Sequence, residues 1–250
     1  MDLIPERSLE GPGLSYLVDG GALVFLWGAL AGRLLLDKYY YEPANRPRFF
    51  SDFEGGEARS SWEMPGWGVT AFGGVLAAGM LGSGDGSRYY HTKGLAESLA
   101  TGVFVTGLIK ATVGRHRPDH DPAIDDPSSR RSFPSGHATQ AFAIATYAAL
   151  YLRLHVFDSR RGSQTLPWWE AATYGGILVG ASALAGERVL HNRHHLTDVA
   201  VGGLLGTASS ALFFWYQERR FREGQGESSS LTVMPKLSAE SATVQLGFTF

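Results

Sequence analysis

Six segments of helix length, rich in Ala, Gly and Leu and separated by loops carrying Pro, Gly and charge, constrain this chain more than any other feature. They run over 17–36, 66–82, 94–113, 136–154, 169–190 and 195–218, which at 1.5 Å per residue makes each about 25 to 36 Å long. Helices of matched length pack as a bundle, and the 32 glycines favour close approach between them. The expected class is therefore all-α. Two placements compete for such a bundle. The similar lengths, the aromatic end Phe213-Phe214-Trp215-Tyr216 and the basic Arg153, Arg160 and Arg161 favour membrane spans. A mean hydropathy of −0.07, with Asp19, Arg33, Lys93, Glu97 and Lys110 in or beside the helices, favours a soluble or peripheral bundle, the reading adopted here.

Outside the helices the composition changes twice. Residues 42–65 are rich in Pro, Gly and charge and read as a long loop. The aromatics Phe49, Phe50, Phe53, Trp62 and Trp67 form either an apolar lip for a lipid chain or a packing wedge between the first two helices. The second change divides the chain into a helical domain over 1–222, a flexible linker over 223–230 and a tail over 231–250. The tail alternates apolar and polar residues, most cleanly over Ala242–Phe250, and reads as a short β-hairpin turning near Ser238–Ser241. A net charge of −2 gives no reason to expect nucleic acid, and the absence of cysteine excludes disulfides and thiolate chemistry. Met1–Arg7 lacks the pattern of a signal peptide, so either the protein is not exported or its export signal was removed.

Chemistry-bearing residues concentrate in three loops. In Lys110-Ala-Thr-Val-Gly-Arg-His-Arg117-Pro118 a helix gives way at Gly114, so Lys110 and Arg117 reach one loop-bounded space. Complementing a helix dipole would use the same residues. Ser132-Phe-Pro-Ser135-Gly136-His137 runs directly into an apolar helix: Ser135 suits an N-cap, the amide of Gly136 can approach an anion, and His137 stands beside it as a proton donor. In Arg188-x5-His194-x3-Asp198, a helix starting near His194 places Asp198 on the same face, where a carboxylate fixes the imidazole tautomer and frees the other nitrogen for attack. Arg188 adds a fork of donors suited to a tetrahedral anion. A solvated, histidine-rich helix cap is the plainer reading of that stretch. His191, His194 and His195 do not suggest a metal, because neighbouring positions on a helix point about 100° apart. The three loops together suit one task, holding a phosphate-like tetrahedron with no metal and no cofactor.

The order Lys-x6-Arg-Pro, Pro-Ser-Gly-His and Arg-x5-His-x3-Asp, within about residues 60–216, resembles the type 2 phosphatidic acid phosphatase (PAP2) superfamily, with its bacterial non-specific acid phosphatases and vanadium haloperoxidases. The resemblance implies a six-helix bundle, here with the β-hairpin tail added. It implies that Lys110, Arg117, Ser135, Gly136 and Arg188 bind phosphate. His194 would be the nucleophile that becomes phosphohistidine, Asp198 its orienter and His137 the acid and base. It further implies a phosphatase of lipid phosphates, pyrophosphates or small soluble phosphoesters, at the periplasmic face of a bacterial envelope, with a six-span inner-membrane protein as the alternative. A vanadate-dependent haloperoxidase and a non-catalytic anion-binding envelope protein are the competing functions. One position departs from the pattern: Glu187 stands where the family usually has Ser, and could brace Arg188 or offset its charge.

Overall fold

The structure, a computed structural model, describes residues 64–119, 127–157 and 166–226, the backbone of 230–238 and 241–249, and five helical positions between 28 and 35. Five full helices lie among the described residues: α1 (Gly66–Gly82), α2 (Arg88–Val113), α3 (Gly136–Tyr151), α4 (Trp168–Leu190) and α5 (Leu196–Gly224). The helix expected over 17–36 falls mostly outside them. A Cβ at Gly32 would sit 2.8 Å from the Phe104 ring, so this segment lies against α2 there.

Local sequence explains the helix ends. Pro65 and Pro167 precede α1 and α4, and a proline at the N-cap costs no intrahelical hydrogen bond. Ser135 caps α3 by accepting from the amide of Ala138 at 3.4 Å. Gly114 stops α2 in the left-handed conformation at φ 63°, which costs glycine little, and its amide closes on the Lys110 carbonyl. Three ends differ from expectation. α2 begins six residues before Gly94 and α5 runs six beyond Glu218, because the polar residues that interrupt the apolar pattern there are buried against one another. α3 ends earlier than expected, with 152–156 forming a π-helical turn.

α3 is the hub, packing against all four other helices, most extensively α5. Its contact with α5 is an Ala/Gly seam: a Cβ on Gly202 would fall 2.5 Å from the Ser135 carbonyl, and one on Gly206 would fall 2.1 Å from the Thr139 carbonyl. The obstructing atoms are backbone, so neither helix can yield locally. Gly206→Ala should therefore lower stability by about 3 kcal/mol, read as a drop in unfolding midpoint. At the opposite end aromatic and large apolar residues fill the core, with Met80, Leu95, Tyr147, Tyr151 and Phe214 in one cluster. After α5, Ser230–Ser238 pairs antiparallel with Ser241–Thr249, with Ser238 opposite Ser241.

α2 and α5 are long and apolar enough to cross a membrane by length and composition. Large apolar side chains also face outward, including Phe72 and Val75 on α1, Leu178 and Val179 on α4, and Leu204 and Leu212 on α5.

Candidate active site

All three motif loops gather at one end of the bundle, where α2 and α4 finish and α3 and α5 begin. Backbone bonds tie them together. The amide of Ser132 donates to the Arg115 carbonyl (3.0 Å), that of Arg117 to Ser129 (2.7 Å), that of Asp119 to Asn192 (3.1 Å) and that of Ser135 to Asp198 (2.9 Å). Asn192 is left-handed at φ 54°, a conformation Asn tolerates better than most residues, and the amides of Arg193 and His194 turn back onto the Arg188 carbonyl. The loop after α4 is thereby folded over the end of its own helix.

His194 is 4% exposed and sits at the entrance of α5. Burial drives its pKa down to about 4, helped by the charges of Lys110 and Arg117 and opposed by Asp198. The imidazole is thus neutral near pH 7, the form with a lone pair to offer. Asp198 lies four residues on, as the spacing predicts, but its Oδ2 is 3.7 Å from His194 Nδ1, beyond hydrogen-bond reach, and Nδ1 is buried without a partner. The expected orienting pair is adjacent but open. A small ring rotation closes it, consistent with catalytic contacts that tighten when substrate binds.

The Asp198 carboxylate is itself held from three sides. Arg115 Nη1 donates to Oδ1 at 2.7 Å, while Ser132 Oγ and the His195 amide donate to Oδ2 at 2.5 and 2.9 Å. Arg115 and Ser132 are absent from the set read off the sequence. Arg115 stands two residues before Arg117, which is the only local hint of its role, and Ser132 carries none.

The cations form a cluster. Arg117 is partly buried, its Nε has no hydrogen-bond partner, and burial together with the charges of Arg193, Arg188 and Arg131 lowers its pKa. Asp119 opposes that shift and also pairs with Arg193 at 2.8 Å. Lys110 Nζ donates to the carbonyls of Arg131 and Ser132, at 2.5 and 3.3 Å. Four guanidiniums and an ammonium acting on one neighbourhood repel one another, and an anion relieves that repulsion. Ser135 is fully buried, and the half-buried Gly136 and His137 begin α3, whose first amides are suited to an anion.

Glu187 is 8% exposed, and its Oε1 accepts from the amide of Met64 and meets His191 Nδ1, both at 3.0 Å. Its Oε2 lies 3.5 Å from Arg188 Nη1, and Arg188 Nη1 also reaches the Met64 carbonyl at 3.5 Å. Glu187 thus joins the approach to α1 to the end of α4 while touching the guanidinium. Trp67 does not cover the site, being 74% exposed, and Phe49, Phe50, Phe53 and Trp62 lie outside the described residues.

The core is all-helical among the described residues, and at one end a buried, neutral histidine lies within the field of a lysine and an arginine, an arrangement chemically suited to a tetrahedral anion. The profile of the PAP2 superfamily matches residues 92–222, more than half of the sequence, and the chain belongs to that family. Among similar proteins are a lipid A 1-phosphatase of Porphyromonas gingivalis, 32% identical over 55% of this chain and 26% of its own, and lipid phosphate phosphatase 1 of Arabidopsis thaliana, 30% identical over 51% and 45%. A decaprenylphosphoryl-5-phosphoribose phosphatase of Mycobacterium tuberculosis is 40% identical over 42% of this chain and 49% of its own. The alignments thus span from about a quarter to about half of these relatives.

Proposed function

We propose that this chain is a metal-independent phosphatase that hydrolyses phosphate monoesters or pyrophosphates of lipids through a phosphohistidine at His194. The observation that carries the reading is the buried, neutral His194 beside Asp198 and within the field of Lys110 and Arg117. With Nδ1 turned to Asp198, Nε2 attacks phosphorus and the bond to the leaving oxygen breaks. Lys110, Arg117, Arg188, the Ser135 hydroxyl and the amide of Gly136 neutralise charge on the equatorial oxygens, while His137 donates a proton to the leaving oxygen. His137 then takes a proton from water, whose oxygen attacks phosphorus. The P–N bond breaks, freeing phosphate and His194.

A lipid substrate is supported by an apolar groove of about 680 Å³ between α1, α3 and α4, lined by Val69, Phe72, Ile144, Ile177 and Leu184 and ending at Glu187, next to Arg188. That volume would admit part of an acyl or prenyl chain while the head group meets the cations. The names of the relatives, all phosphatases of phosphorylated lipids, agree with this choice. The outward apolar side chains support association with a bilayer; the proposal puts that bilayer in a bacterial envelope, with the site on the periplasmic face. The helical domain would carry the whole reaction.

Phosphate release from phosphatidate, a polyprenyl pyrophosphate and p-nitrophenyl phosphate, with EDTA present and well below the unfolding temperature, tests this. Turnover of all three, faster for the lipids and inhibited by vanadate, is the expected result. Hydrolysis that requires an added divalent metal would contradict the mechanism. No hydrolysis, with halide oxidation once vanadate and peroxide are supplied, would make the protein a haloperoxidase.

A further inference from the structure

At the opposite end of the bundle, a second polar cluster takes no part in this chemistry. Glu218 follows Asp198 along α5 by about 30 Å of helix rise, so the two sites cannot share a ligand. His91, in the first turn of α2, His155, in the π-helical turn after α3, and Glu218 meet there. His155 Nε2 and His91 Nε2 both face Glu218 Oε2, at 2.8 and 3.2 Å, and one ligand atom from each residue lies within 4.8 Å of the other two. These spacings approach the roughly 3.3 Å edge of a tetrahedron with metal–ligand bonds near 2.0 Å.

We propose that His91, His155 and Glu218 form a structural binding site for a divalent transition-metal ion, most suited to zinc, that ties α2, the end of α3 and α5 together. The surroundings are what such a site requires. Each ligand is oriented through its other polar atom: His155 Nδ1 by Asp85 Oδ2 at 3.0 Å and by Ser87 Oγ at 3.1 Å, His91 Nδ1 by the Tyr147 hydroxyl at 3.3 Å, and Glu218 Oε1 by Arg222 Nε at 2.5 Å. Ser87 also donates to Asp85, so the orienting carboxylate is itself fixed. Phe214 stacks on His91 with centroids 4.6 Å apart and Tyr151 on His155 at 5.0 Å, which holds both rings and leaves the remaining coordination position to a water. Two imidazoles and one carboxylate, without thiolate and without an oxygen cage, select zinc-like ions over magnesium or calcium. The π-helical turn gives the position a purpose, since it changes the rotation of the chain where His155 must face inward. Asp85, with its side chain 30% exposed, marks the entry path beside an otherwise buried site.

The test uses the full chain stripped by a chelator and titrated with zinc alone, followed by calorimetry and by thermal unfolding. One zinc should bind per chain and raise the midpoint by about 5 to 10 °C at a hundredfold excess over Kd. Asp85→Asn, which leaves the three ligands in place, should weaken binding about 10- to 100-fold, and His155→Ala should abolish it. Cobalt bound to the wild type should show the ligand-field bands of a four- or five-coordinate ion, a readout that does not depend on any variant folding. Absence of stoichiometric zinc binding, affinity unchanged in both variants, or an octahedral cobalt spectrum would each overturn the assignment. The site is structural, so removing zinc should lower the midpoint without abolishing hydrolysis below it. Failure here and failure of the phosphatase reading are therefore separate results.

Discussion

His194→Ala is expected to lower kcat on phosphatidate and on p-nitrophenyl phosphate by about 10⁴-fold or more while leaving a folded protein. The loss is large because the two neighbouring histidines are turned to other partners. His191 is turned to the Glu187 carbonyl and carboxylate, and His195 Nε2 faces the carbonyl of His116 at 3.2 Å. The fold should survive because His194 Nδ1 is buried without a partner, so truncation abandons little. It also removes a group whose protonation burial opposes. For this histidine the folded pKa of about 4 lies below the ordinary 6.5, so its contribution to stability is complete above about pH 6.5 and is lost as pH falls toward 4. The alanine variant should therefore lose less stability than the wild type between pH 6.5 and 4. Steady-state kinetics with thermal unfolding at pH 7 and pH 5 checks both parts. Wild-type turnover in the variant would remove His194 from the mechanism.

Asp198→Asn should damage both activity and stability, with kcat falling about 10³- to 10⁴-fold. An amide in place of the carboxylate no longer favours the tautomer with hydrogen on Nδ1, and a misplaced tautomer in a comparable histidine–carboxylate pair costs that order. Stability should fall by about 3 to 5 kcal/mol, because Arg115, Ser132 and the His195 amide all donate to this fully buried carboxylate, and removing its charge strands the Arg115 guanidinium. The corresponding drop in unfolding midpoint is about 10 °C for a chain of this size. Arg115→Gln should reproduce much of the stability loss but less of the kinetic loss, since it leaves the carboxylate beside His194. Equal kinetic losses in the two variants would mean that Asp198 acts only by holding the loops.

The parts of this molecule readable from sequence are those encoded by neighbours in the chain. α1 spans the residues its apolar run predicts, bounded by Pro65 and Gly82, and Ser135 caps α3 as the Pro-Ser-Gly-His segment suggests. The four-residue step from His194 to Asp198 puts them side by side for the same reason. What could not be read depends on partners far away. Arg115 and Ser132 reach Asp198 across 83 and 66 residues, and neither distance leaves a periodic trace. The early start of α2 and late end of α5 were hidden because His91, Gln217, Glu218 and Arg222 look like solvent-facing helix ends until they are seen buried together. Glu187 could be read as bracing or weakening Arg188. Its Oε2 does lie 3.5 Å from that guanidinium, but its 3.0 Å contact with the backbone amide of Met64, a loop partner 123 residues away, leaves no trace in the local sequence.

Trapping the covalent intermediate tests the central claim most directly. Wild-type protein turning over a phosphatidate would be quenched in alkali, where phosphohistidine survives, digested, and mapped by mass spectrometry. The account predicts a phosphoryl group on the peptide containing Arg188–Asp198, localised to His194 and absent from His194→Ala. A phosphoryl group on another residue, or full turnover with no phosphorylated peptide in either protein, would contradict it.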